Sequence, residues 1–264
     1  MNRLSLPPQM RFVELLTGFF VPGLAVYLRG PWTLGLAALG VSAALFSVYV
    51  IWLGHGAANL AFGMLMSLHC TGFVYYCSPS MAQAGFQRRL FFTIMVLVAM
   101  MGLLYWPSRN LVQEHWLTPL RINNQVVVVQ RIFAVSNIQR GDWIAYSLKE
   151  YSEGEAHNGG AVWFHGGTGL GPVLAIAGDH VSFSAGSYSV NGVNHLSFPH
   201  MPQAGEWIVP EKHWFIWPNL AISGHGNVSE GAIDGALLQL ADVAPDQYFG
   251  QPLHHWFWRQ QKLP

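Results

Sequence analysis

"GPVLAIAGDHVSFSAGSYSVNGV", residues 171–193, decides how the second half of this chain folds. An apolar run from Val173 to Ala177 stops at Gly178-Asp179. From His180 onward apolar and polar residues alternate, the period that sends successive side chains to opposite faces of a strand. Asn191-Gly192 then forms the dipeptide that tight hairpin turns favour. The stretch reads as a β-hairpin, with Gly-Asp as its first turn and Asn-Gly as a second.

Outward from that stretch the same pattern continues. "NQVVVVQRIFAV" (residues 124–135) is β-branched and strand-like, and "DWIAYSL" (142–148) follows an Arg-Gly turn. "GAVWFH" (160–165), "EWIVP" and "HWFIWP" are further short runs, separated by glycine, asparagine and proline. A helical period is present only weakly, over "EGAIDGALLQLADV". Residues 111–264 therefore read as one mainly-β domain, long enough to bury a single core. "HGGTGLG" (165–171) lacks the Gly-Lys-Ser/Thr ending of a phosphate loop and reads as a flexible loop.

Residues 1–110 differ sharply. The whole chain of 264 residues is 52% hydrophobic and 10% charged, with mean hydropathy +0.28. So few charges in so apolar a chain point to a membrane protein. Three segments, 32–53, 57–78 and 90–106, approach the ~20 apolar residues that a bilayer core requires. Trp32, Trp52, Tyr75, Tyr76, Tyr105 and Trp106 lie near their ends, where aromatic belts form. Residues 12–28 are a weaker candidate, interrupted by Glu14 and Pro22-Gly23. They read either as a fourth span or as a hairpin folded back at the interface. No small-residue cleavage site follows, so a removable signal peptide is not expected.

Charge placement favours three spans plus an interfacial hairpin. Arg3, Arg11, Arg29, Arg88 and Arg89 then share the cytoplasmic side, while "GHGAAN" and everything after Trp106 lie outside. Twelve of the thirteen acids follow residue 113, and neither half carries the basic stripe of a nucleic-acid binder. Cys70 and Cys77 lie in an apolar segment and read as packing residues. The twelve histidines show no metal-ligand spacing, so no metal and no cofactor is expected. His69, inside a span, is expected to hydrogen-bond a neighbouring helix. "HHWFWRQ", with Trp207, Trp214 and Trp217, either packs on the core or dips toward the bilayer.

Four blocks in order carry a resemblance. They are "QRGDWIAY", "GPVLAIAGDHVSFSAGSYSVNGV", "VPEKHWFIWPN" and "QYFGQPLHHWFW". Together, over roughly residues 121–258, they resemble the signal peptidase I family, including the conjugative-transfer maturation peptidases. "PGLAVYLRG" is similar to a hairpin at the start of several small bacterial membrane proteins, with Ala25 in place of its second glycine. The resemblance implies a membrane α-helical N-terminal part plus a mainly-β C-terminal domain of signal peptidase-like fold. It also implies an extended peptide bound by strand addition, in a multi-pass protein of the bacterial inner membrane with its C-terminal domain periplasmic.

The family's reaction needs a serine and a lysine desolvated enough to act as its base. Counting from Gly141-Asp142, the nucleophile position falls on Phe133; counting from Gly178-Asp179, the general-base position falls on Gly171. The Gly-Asp-Asn block falls on Pro218-Asn219-Leu220, and the Asp-Ser-Arg block on Pro245-Asp246-Gln247. Ser136, His165 and Lys149 are the rescue candidates, with blander readings as a turn serine, a loop histidine and a solvated charge. Lys212 also reads as a turn lysine. The expectation is a pseudoenzyme that binds an extended peptide or a partner envelope protein, along a groove containing Val128, Phe133, Ala134 and Val135. The alternatives are an active serine endopeptidase with a relocated nucleophile, and a structural subunit of a secretion or conjugation complex.

Overall fold

The computed structural model describes residues 12–122, 124–131, 138–153, 162–220 and 230–263, and the chain divides into two compact units. One comprises the chain up to His115 together with Trp256–Arg259; the other runs from Trp116 to His255 and resumes at Gln260. The division falls at 115/116 rather than 110/111 because a helix continues through the polar residues after Trp106.

The helical unit contains α1 (Phe12–Phe20), α2 (Leu24–Arg29), α3 (Trp32–Ile51), α4 (Gly56–Cys77), α5 (Phe86–Met100) and α6 (Trp106–His115). One π-helical turn, Met101–Tyr105, joins α5 to α6. Three stretches are long and apolar enough to cross a membrane: Trp32–Ile51, Gly56–Met81 and Phe86–His115. Their outward side chains are large and apolar, as at Phe46, Leu60, Phe91 and Leu103. The buried positions of α3 and α4 include Ala38, Ser42, Ala58, Ala61 and Gly72. Small residues within and large apolar ones outside is the pattern of helices that associate in lipid.

Residues 12–28 do not form a continuous helix. The chain breaks at Gly23, whose φ of +84° suits glycine, and a Cβ there would meet the Ala38 carbonyl at 2.9 Å. The break reverses the chain. The Tyr76 hydroxyl donates to Glu14 Oε2 at 3.1 Å, and Arg29 donates to the Tyr76 carbonyl at 3.1 Å, so the start of α1 and the end of α2 meet one residue of α4. The hairpin of the three-span reading is thus present, but it is not superficial. Its tip packs on Ala38 and Leu39, about 10 Å along α3 from Trp32 at 1.5 Å per residue. Tight glycine and alanine contacts allow that depth.

His69 behaves as expected. It is fully buried, with Nε2 3.1 Å from the Gly18 carbonyl and Nδ1 2.8 Å from the Tyr105 hydroxyl. A carbonyl can only accept, so Nε2 donates to Gly18 while the Tyr105 hydroxyl donates to Nδ1. Cys70 and Cys77 are buried free thiols. Part of "HHWFWRQ" also belongs to this unit: the Trp256 indole donates to the Val50 carbonyl at 3.0 Å, and Arg259 lies over the Trp52 ring.

The second unit is β-rich. Its strands are β1 (Leu117–Ile122), β2 (Gln125–Gln130), β3 (Trp143–Leu148), β4 (Tyr151–Glu153), β5 (Val162–Phe164), β6 (Gly167–Pro172), β7 (Ala175–Ile176), β8 (His180–Ser184), β9 (Ser187–Val190), β10 (Val193–Leu196), β11 (Gly205–Ile208), β12 (Trp214–Phe215), β13 (Asp242–Val243) and β14 (Tyr248–Pro252). A five-stranded sheet has the order β1-β2-β14-β3-β6, a four-stranded sheet β10-β9-β8-β11, and a three-stranded sheet β13-β12-β7. The weakly periodic stretch forms α7 (Glu230–Ala241), whose Ala236, Leu237 and Leu240 join Val181, Phe183, Tyr188 and Phe215 in the largest core.

Two readings of the sequence are corrected here. The Gly178-Asp179 turn does not close a hairpin, because β7 pairs with β12 while β8 pairs with β9 and β11. It is a corner where the chain passes between sheets; the hairpins of the stretch turn at 185–186 and 191–192. Asp179 holds the corner by accepting from Arg140 Nε at 2.7 Å, the Ile176 amide at 2.8 Å and the Asn191 side chain at 3.0 Å. Second, residues 167–172 are not a flexible loop but strand β6, paired along its length with β3. Its glycines mark close packing, as the cleft beside it makes clear.

Candidate functional site

A cleft of about 530 Å3 opens beside β6 in the β-rich unit. One wall is the strand itself, from Thr168 to Pro172; the other is formed by Phe198, Pro199, Trp217 and Leu220. Among the described residues β6 is a terminal strand of its sheet, so one row of its backbone groups has no strand partner. Pro172, which could not donate in a sheet interior, is compatible with that edge position. A polypeptide edge beside an apolar cleft can add another strand, with backbone hydrogen bonds for affinity and pockets for side-chain choice.

The glycines of β6 shape this cleft. A Cβ on Gly169 would lie 2.6 Å from Cζ of Tyr146, and one on Gly171 would lie 2.8 Å from Cγ2 of Ile216. Tyr146 and Ile216 fill the volume that side chains at those positions would take. Tyr146 is 1% exposed, and burial pushes its hydroxyl above the usual tyrosine range, keeping it protonated at neutral pH.

Gly171, Pro218, Asn219 and Leu220 all line the cleft, so two of the blocks carrying the resemblance meet there. Asp246 lies elsewhere, 3.7 Å from Lys149. That lysine is 64% exposed, in keeping with a solvated charge, and Lys212 sits in a turn at φ +66°. His165 is exposed, precedes β6 and is not among the cleft residues. Phe133, Ala134, Val135 and Ser136 lie outside the described residues. Val128, expected in the groove, is 2% exposed in the middle of β2, between β1 and β14. Its amide donates to Gln261 Oε1 at 2.5 Å, and its carbonyl accepts from the Leu253 amide at 3.0 Å. It belongs to the sheet interior, because β-branched runs pack there as readily as on a groove wall.

Thr168 and His200 are the hydroxyl and imidazole closest in kind to a nucleophile and base in this cleft, and no hydrogen bond joins them. Among the described residues no group of three histidine, cysteine or carboxylate side chains is arranged to hold a metal ion. A second cavity, of about 460 Å3, lies in the helical unit among Phe20, Leu39, Phe46, Phe62 and Leu65. Its lining is mostly apolar, whereas the β6 cleft combines apolar walls with polar groups that could orient a ligand.

Sequence reasoning missed β6 and Tyr146. The signal for β6 was present in its flanks: the bulky "VWF" before it and "PVLAI" after it bracket a run with the length of a strand. Tyr146 has no such signal, because its place is set by the missing side chain on a different strand.

Compared with known proteins, the chain matches no family model and no curated protein.

Proposed function

We propose that this chain is a membrane-anchored, signal peptidase-like protein that binds an extended peptide segment of an envelope protein at the free edge of β6, without cleaving it. The observation that carries the proposal is that edge: a glycine-rich strand, unpaired on one side among the described residues, bordering an apolar cleft. The reading is supported at Gly171, where a lysine would have to displace Ile216 before it could act as a base. It is supported too by the described cleft residues, none of which pairs a hydroxyl with a lysine or histidine. The three apolar helices fit a multi-pass anchor in a bacterial inner membrane, with the β-rich unit on the extracytoplasmic side.

The test uses the full chain in detergent micelles, with a photoreactive amino acid at the exposed position Thr168. Short extended apolar peptides should crosslink there and remain intact by mass spectrometry. Peptides recovered cut at one bond would overturn the non-cleaving part; crosslinking no stronger than at the exposed position Val193, on β10 of the four-stranded sheet and outside the cleft lining, would overturn the binding part.

A further inference from the structure

The cavity of the helical unit has a direction. Leu39, Ser42, Ala43, Phe46 and Tyr49 of α3 line it, at the three- and four-residue spacing of one helix face. From Leu39 to Tyr49 that face runs about 15 Å. At the Leu39 end the lining is the tip of the α1–α2 hairpin, Phe20 to Pro22. At the Tyr49 end the Tyr49 and Phe62 rings stand 5.1 Å apart, and the Arg109 guanidinium lies over the Phe62 ring at 5.9 Å.

The two ends differ in chemistry. Along the wall, Ser42 donates to the Ala38 carbonyl at 2.7 Å and the Tyr105 hydroxyl is held by His69 Nδ1 at 2.8 Å, so the protein itself satisfies these polar groups. Ser108 and Arg109, adjacent and exposed on α6, supply the polar end. Among the described residues the lining holds no carboxylate. Phe20 and Phe46 are 54% and 56% exposed, so the cavity opens sideways through the apolar outer surface of the helices. Trp106 starts α6 where aromatic residues mark a membrane interface, and Arg109 follows one turn later, at headgroup depth.

We propose that this cavity binds one anionic membrane phospholipid. An acyl chain lies along the α3 face toward the hairpin tip, and Arg109 takes the headgroup phosphate. The proposal rests on the reading of the three apolar stretches as membrane spans, and it is independent of peptide binding at β6. About 460 Å3 is within the size of ordinary ligand sites. The planar guanidinium fork matches phosphate oxygens. A zwitterionic lipid carries the same phosphate, but its ammonium group meets no carboxylate in the lining, so the site favours a headgroup of net negative charge.

The experiment uses the full chain in non-ionic detergent micelles and reads bound lipid by native mass spectrometry. Phosphatidylglycerol and phosphatidylcholine with identical acyl chains are titrated separately. One basic residue near an anionic headgroup is worth about five-fold in affinity. Wild type should bind phosphatidylglycerol about five-fold more tightly than phosphatidylcholine. Arg109→Gln should bind both at the phosphatidylcholine level, and Arg109→Lys should keep most of the preference. Ala43→Trp, which fills the cavity from an exposed position, should weaken both lipids at least ten-fold with an unchanged thermal transition. Equal binding of the two lipids by wild type, or a preference that survives in Arg109→Gln, overturns the headgroup assignment. Lipid binding unaffected by Ala43→Trp overturns the cavity as the site. A dimer in the wild-type spectrum that Ala43→Trp abolishes would give the cavity to a second copy of the chain and overturn the lipid proposal. None of these outcomes bears on crosslinking at Thr168, so the two readings fail separately.

Discussion

Asp179 shows how one side chain can fix a corner. Its side chain is 8% exposed, and that burial alone would raise its pKa. Hydrogen bonds from Arg140, the Ile176 amide and Asn191 outweigh burial and hold the carboxyl below the usual aspartate range. A carboxyl depressed in the folded state gives stability that is full above its unfolded pKa, about 4, and is lost as pH falls through the folded value. Asp179→Asn should therefore lower stability at pH 7 by about 2 kcal/mol, roughly 4–8 °C in the melting of the β-rich unit. The partly exposed Arg140 is resolvated by water, which limits the loss. The gap between wild type and variant should close on acidification below about pH 4; a gap constant from pH 7 to pH 3 would exclude this origin. At Gly171 the expected outcome is steric. Gly171→Ala should destabilise by roughly 1–3 kcal/mol, and Ile216→Val in the same chain should recover part of that, measured as a double-mutant cycle. Gly171 was legible in the sequence as a position without an amine. That Ile216 occupies its place was not legible, because Ile216, just after β12, is far from β6 in the chain.

At the scale of elements, legibility followed the distance over which a signal acts. β3 is carried by local alternation and by the turn at its start, and the sequence places it within a residue; alternation from His180 onward likewise marks the stretch that forms β8 and β9. β6 and β7 depend on partners elsewhere: β6 on the bulk of Tyr146 and Ile216, β7 on β12. Their own residues read as a loop and as half of a hairpin. The α1–α2 hairpin lies between these cases, since Pro22-Gly23 announces a break but not its depth. Gly23→Val would add a β-branched side chain at φ +84° and against the Ala38 backbone, neither of which can yield easily. The hairpin should be displaced, and the native thiols report it. Cys70 and Cys77, buried in wild type, should react with a maleimide in mild detergent at least ten-fold faster in the variant; unchanged thiol protection would mean the hairpin stays seated.

For the whole molecule, composition alone separated an apolar, arginine-only first part from an acidic, turn-rich second part, and the structure divides near the same place. On the proposed topology, three crossings put successive connections on alternate sides. Cysteine introduced at Asn59 and at Lys149 should react with a membrane-impermeant reagent from the outer face of intact cells, and cysteine at Gln83 only after lysis. Labelling of Gln83→Cys from outside would invert the topology. Buried Cys70 and Cys77 keep the background low in such an experiment.

The contacts of the α1–α2 hairpin also set an order of assembly. Gly18 needs His69, Glu14 needs Tyr76, and His69 in turn needs Tyr105. All three partners are synthesised later than the hairpin. The hairpin, which leaves the ribosome before its partners, therefore cannot take its final place until α4 and the π-helical turn after α5 have arrived.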